Sequence, residues 1–139
     1  MGHNPMIPNA DITIYNRVRG SSEVWLRRQV RRVVWQSTKA VNRSKPGMIA
    51  ADSVFVMIPY ARATTYLDPI TWQASTRKEY YWTLQEGDVL VRGLVDDSPT
   101  TPSLVTTLRN KYGDVVTISS IDPCDEGTPN MQHFELSCK

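Results

Sequence analysis

The chain has 139 residues, 40% hydrophobic and 22% charged, with a formal net charge of +2. That is enough for one domain with a real core and too apolar for wholesale disorder. The longest apolar run, Val54 to Ile58, falls far short of the ~20 residues of a membrane helix, and Met1-Gly2-His3-Asn4-Pro5 lacks the basic start and apolar stretch of a signal peptide, so a cytoplasmic product without a membrane partner is expected.

Residues 1–10 carry Pro5 and Pro8 without periodicity and read as a flexible N-terminal arm. Ile12 to Tyr15 is a short strand candidate and Asn16 to Ser22 a polar loop. Val24 to Trp35 has two readings. As a strand it places Trp25, Arg27, Gln29, Arg31, Val33 and Trp35 on one face; as a helix it makes a stripe of Leu26, Val30, Val33 and Val34. The β-branched and aromatic residues at its end favour strand there. Thr38 to Asp52 is loop-like, with Lys45-Pro46-Gly47 as a turn signal. Ser53 to Ile58 is a strand stopped by Pro59.

The segment 60–78 is the longest irregular stretch, and a loop of that length in a compact domain is usually functional or disordered. Tyr80 to Gly93 then reads as strand, turn, strand: Gly87 supplies a positive φ, with Trp82 and Leu84 before it and Val89 and Val91 after it. Asp96 to Pro102 is a polar loop. Ser103 is the expected cap of a helix with Leu104, Leu108 and Tyr112 on one face and Gly113 as its stop. Val115 to Ile121 and Gln132 to Cys138 are the last strands, separated by a turn-rich loop. The sum is a single, mainly β domain over residues 1–139, a small antiparallel β-barrel or sandwich of about six strands with one short helix and one long loop. Phe55, Trp82, Leu84, Val89, Val91, Ile118, Phe134 and Leu136 are the expected core.

No catalytic residues emerge. A nucleophile–base pair would need Cys124 to approach His133 across a loop, and a strand histidine is more often a half-exposed packing residue. With two histidines and no Cys-x-x-Cys spacing, neither a metal site nor a cofactor is expected, and Cys124 and Cys138 are expected as free thiols. Non-enzymatic binding is the expectation. Residues 1–45 hold nine Lys and Arg against two acids, and residues 46–139 hold seven against twelve. Arg27, Arg28, Arg31, Arg32, Arg43 and Lys45 are therefore candidates to contact DNA or an acidic partner, with a merely solvated strand face as the alternative. The long loop offers Tyr66 and Trp72 as apolar anchors, with Arg62, Arg77 and Lys78 beside them, for a subunit or partner interface.

Several stretches together resemble a known family: Ala10-Asp11-Ile12-Thr13-Ile14-Tyr15-Asn16, Val33-Val34-Trp35, Ala51 to Pro59, Tyr81 to Gly93, Thr117 to Asp122 and Gly127 to Phe134. They are similar to small proteins of the head-morphogenesis module of tailed bacteriophages and prophages of Gram-positive bacteria, over nearly the whole chain. The resemblance implies a virion protein made in the host cytoplasm, a head–tail connector subunit of the neck. Head closure (the stopper) is the position it implies first: a small β-barrel assembled as a sixfold or twelvefold homo-oligomeric ring. Such a ring meets adaptor and tail-terminator or tail rings and touches packaged DNA. Other slots it leaves open are tail terminator, adaptor and minor capsid protein; a free nucleic-acid-binding domain is the remaining alternative.

Overall fold

Strand-forming runs account for most of the fold. The computed structural model describes residues 7–20, 23–38 and 53–139 and closes those runs into a barrel. In chain order the elements are β1 (Ala10–Val18), β2 (Val24–Thr38), β3 (Ser53–Pro59), helix α1 (Pro69–Ala74), β4 (Val89–Arg92), helix α2 (Leu104–Lys111), β5 (Val115–Cys124) and β6 (His133–Cys138). The strands follow the order β1-β2-β3-β6-β5-β4 around the barrel, β4 closes back on β1, and each neighbouring pair is antiparallel. The fold is thus a barrel and not a sandwich. Closure removes the free edges through which sheets recruit extra strands.

β2 is the corner strand, and the helical reading of it does not hold. Its first part pairs with β1 and its last part, Val34 to Thr38, with β3. Where it turns, the register slips between Ala10 and Ile12 of β1. Arg32 takes a positive φ of 61° there, and its N–H donates to Asp11 Oδ1 at 2.9 Å. An inserted residue of this kind shifts the in–out phase of a strand by one. Val30 joins the interior before the bulge, and Val33 and Trp35 join it afterwards, while Trp25 belongs to an outer cluster. The simple alternation that put Trp25, Val33 and Trp35 on one face breaks at Arg32.

Two apolar clusters result. The interior holds Ile12, Ile14, Val56, Ile58, Leu90, Ile118 and Leu136, closed off by Trp82 and Leu84. The second lies outside the barrel wall, where Leu104 and Leu108 of α2 cover Tyr15, Trp25, Val89 and Val91. β4 is therefore buried on both faces, and Val89 and Val91 serve the outer cluster. Phe55 departs from expectation: β3 alternates with Val54, Val56 and Ile58 inward, so Phe55 faces outward and is half-buried.

The Tyr80–Gly93 hairpin also fails. Trp82 makes one isolated parallel bridge, to Tyr66, and β4 pairs with β1 and β5. The aromatic run is buried as expected but by long-range packing, and Gly87, with φ of 92°, only turns the chain into β4. At α2, Ser103 adopts φ 51° without a side-chain cap, and Tyr112 ends the helix by turning extended. Ahead of β1, Asn9 is not part of a free arm: it donates to Trp35 O from Nδ2 at 3.0 Å and accepts from Trp35 N at 2.7 Å.

Antiparallel pairing brings three connections to one end of the barrel: the β1–β2 turn, the β3-to-β4 crossover of residues 60–88, and the β5–β6 turn. That end carries most of the chemistry described next.

Candidate interaction surface

The crossover is folded, and its order begins at Asp68. This residue caps α1, accepting from Thr71 N at 3.1 Å and Thr71 Oγ1 at 2.6 Å, with Pro69 at the first helical position. Both features favour a helix start. The hydrogen bonds from Thr71 hold the Asp68 carboxyl below its ordinary pKa. The helix corrects the reading of 60–78 as one irregular stretch, since Asp68-Pro69 carries a helix-start signal that reading passed over. One turn on, Trp72 is completely buried within the chain, its Nε1 donating to Tyr81 O at 3.1 Å and Lys78 O at 3.3 Å.

Trp72 is thus the local core of the crossover and not a partner anchor. Tyr66 is also turned inward, edge-on to Trp82 at 5.3 Å and tilted on Phe134 at 4.7 Å. Lys78 bends back, its Nζ donating to Ser75 O at 2.7 Å. Arg62 is exposed, and Arg77 lies over the Tyr80 ring at 5.1 Å. The groups the crossover does offer to a partner were missed in the sequence: Ile70, 79% exposed, and Tyr80, 52% exposed. Val24 and Met131, from the two neighbouring turns, are exposed at the same end. Contiguous exposed apolar patches mark contact surfaces, whereas apolar side chains exposed singly are ordinary.

Beneath the crossover a buried polar network locks it to β1. Asp88, 1% exposed, accepts from Arg17 N at 3.0 Å, Asn16 Nδ2 at 2.8 Å and Gln85 Nε2 at 3.1 Å. Asn16 also donates to Thr83 O and accepts from Thr83 N, while Gln73 Nε2 bonds Gln85 Oε1. Burial pushes the Asp88 carboxyl up to about 6 against the pull of these donors. Above the network opens a cleft of about 620 Å³ lined by Arg17, Arg19, Pro69, Leu84, Glu86 and Ile121, among others.

The structure disperses the arginine run. Arg27 Nη1 donates to Asp97 O at 3.2 Å and latches the segment that carries α2. Arg28 is half-buried at the capped end, its Nη2 donating to Tyr80 O at 2.6 Å, and burial pulls its guanidinium pKa down. Arg31 is exposed, and Arg32 forms the bulge. Arg43 and Lys45 lie outside the described residues.

Charge becomes ordered again at the scale of hairpins. Residues 10–38, the β1–β2 hairpin, carry six arginines and two acids, net +4; residues 115–138, the β5–β6 hairpin, carry four acids and neither Lys nor Arg, net −4. In the barrel order β1 stands three places from β6 and β2 three from β5, whichever way one counts. The basic and acidic hairpins therefore occupy opposite sides of the barrel. The acids Asp122, Asp125 and Glu126 are exposed, and the Glu135 side chain is 46% exposed.

The cysteines are free, as expected. Cys138 faces the interior beside Ile118, and burial pushes its thiol up to about 12; Cys124 stands at the other end of the β5–β6 pair. Cys124 is directly across from His133, with Glu135 two residues along. The approach of Cys124 to His133 across the loop was readable in the sequence, and strand register adds Glu135 to it.

The chain belongs to a family of unknown function, DUF6751. The match runs over residues 7–139 and so takes in the whole barrel, both charged hairpins and the crossover. Comparison with curated proteins and with solved structures finds no match.

Proposed function

We propose that this DUF6751 chain is a structural ring subunit of a tailed-phage neck, a head–tail connector in the head-closure position that joins portal-side rings to the tail and helps retain packaged DNA. The observation that carries the reading is the placement of a +4 hairpin and a −4 hairpin on opposite sides of one closed barrel. A subunit with complementary flanks meets its copies head to tail, and head-to-tail contacts generate rings when the rotation closes. Complementary potentials also set register and speed encounter. The closed barrel fits this use, because without free edges association must run through side chains and loops.

The capped end supplies the axial contact. Ile70, Tyr80, Val24 and Met131 give it apolar groups, and Arg62 and Arg77 give it charge for an adaptor or tail ring. Resemblance to head-morphogenesis proteins selects the neck among possible rings. The folded crossover favours a docking face over a free channel gate, since Trp72 is tied into the chain's own core.

Electron microscopy of the purified chain over a range of concentrations, at low and high salt, tests the proposal. Closed rings of six or twelve subunits that dissociate as salt rises are the expected result, because screening weakens exposed charge pairs. Monomers at every concentration, or only twofold dimers, would overturn it.

A further inference from the structure

The outer face of the β5–β6 hairpin gathers three side chains of differing ligand chemistry. Cys124 and His133 are register partners, and Glu135 follows His133 on the same face of β6, whose alternation sends Phe134, Leu136 and Cys138 inward. The Cys124 thiol, a His133 ring nitrogen and a Glu135 carboxylate oxygen all lie within 4.8 Å of one another. His133 Nε2 already stands 3.8 Å from Glu135 Oε2. Around a tetrahedral zinc with bonds of ~2.0–2.3 Å, ligand atoms sit ~3.3–3.7 Å apart. Side-chain rotation of about an ångström converts the one arrangement into the other.

A second observation concerns the histidine's other nitrogen. His133 Nδ1 lies 2.9 Å from Met131 O, a backbone carbonyl that can only accept. The proton is therefore on Nδ1. In the neutral ring Nε2 then presents a lone pair toward the Glu135 carboxylate. Two acceptors facing each other 3.8 Å apart are bridged by a water's two O–H groups or by a cation. A ligating histidine commonly has this same support, its distal N–H donated to a carbonyl that fixes tautomer and ring orientation. Cys124 and His133 are each only partly exposed, so neither is a fully solvated side chain.

We propose that Cys124, His133 and Glu135 form a zinc site with three protein ligands and one position open to water. Thiolate and imidazole together select zinc over the hard cations magnesium and calcium, which take oxygen donors. The thiol proton is released to solvent as the metal–sulfur bond forms. In the fold the metal would staple the two strands at the tip of the acidic hairpin, which the ring proposal places at the subunit contact. The zinc site stands on its own geometry and does not depend on that proposal.

The test uses the full chain, stripped of metal with a chelator and titrated with Zn2+ by calorimetry and with Co2+ by absorption. One equivalent of Zn2+ is expected, with a tetrahedral cobalt spectrum carrying a thiolate-to-metal charge-transfer band. Cys124→Ser should abolish that band, and His133→Ala and Glu135→Gln should each weaken Zn2+ by about 10–100-fold, circular dichroism reporting that each variant folds. A melting temperature that rises with Zn2+ in the parent and stays fixed in Cys124→Ser would agree. Absence of Zn2+ binding overturns the proposal. Binding undiminished by Cys124→Ser overturns it too, placing the metal elsewhere on the chain.

Discussion

Asp88 makes the fold's stability depend on pH in a direction opposite to most surface carboxylates. Burial lifts its pKa from 3.8 to about 6. Below pH ~3.8 the carboxyl is protonated in both folded and unfolded chains. Between the two values the folded chain keeps a proton that the unfolded chain has released, so stability falls as pH rises. About two pKa units at ~1.36 kcal/mol each give a loss of about 3 kcal/mol, complete above pH ~6. Asp88→Asn keeps the size of the side chain and removes the titration. Its amide nitrogen cannot accept, so one of the three converging donors loses its partner, which costs about 1–3 kcal/mol against the parent at pH 4. Urea unfolding of parent and variant from pH 4 to pH 8 reads the difference, in which other titrating groups cancel. The parent should lead at pH 4 and lose about 3 kcal/mol of that lead by pH 8. A lead that stays flat, or grows with pH, would show that the three donors outweigh burial and that the carboxylate is charged throughout.

Other outcomes follow from the same packing. Trp82→Ala, which empties the capped end of the interior cluster, should cost about 3–5 kcal/mol in chemical denaturation; a loss under about 1 kcal/mol would mark the crossover as peripheral to the core. Trp72→Ala should destabilise comparably, whereas Ile70→Asp, two residues earlier and exposed, should stay within about 0.5 kcal/mol of the parent and instead weaken binding to a neighbouring ring. Equal stability losses in these two variants would contradict the assignment of inside and outside on α1. Gly93 holds φ of 111° in open space, so Gly93→Ala should cost at least about 1 kcal/mol from backbone strain alone; an unchanged midpoint would refute that.

The strands were legible because apolar residues alternate in β3 and β6, and the pattern survives folding there, while β1 is buried on both faces from Ile12 to Asn16. It was less legible wherever a long-range partner decided the outcome. The aromatic run Tyr80 to Leu84 looks like a strand but finds Tyr66 and the barrel interior instead of β4, and propensity yields to packing. Arg32 conceals a bulge that shifts the phase of β2, and nothing in a two-residue period announces it. Trp72 looked like an anchor because α1 was not recognised, although Asp68-Pro69 with Thr71 carries a start signal. The charge bias was visible in the residues, but opposition of the two hairpins is a property of barrel order. Glu135 likewise joins Cys124 and His133 only through register.

The measurement that bears most directly on the ring account is an assembly by mixing. One variant carries Arg17→Glu, Arg19→Glu and Arg31→Glu, which take the basic hairpin from +4 to −2; the other carries Asp122→Lys, Asp125→Lys and Glu126→Lys, which take the acidic hairpin from −4 to +2. Each alone presents like charges on both flanks, while each complements the other on both. Imaged separately the two should give monomers, and mixed in equal amounts they should give closed rings with an even number of subunits. Rings from either variant alone, or none from a mixture of two well-folded variants when the parent forms them, would contradict assembly through the opposed hairpins.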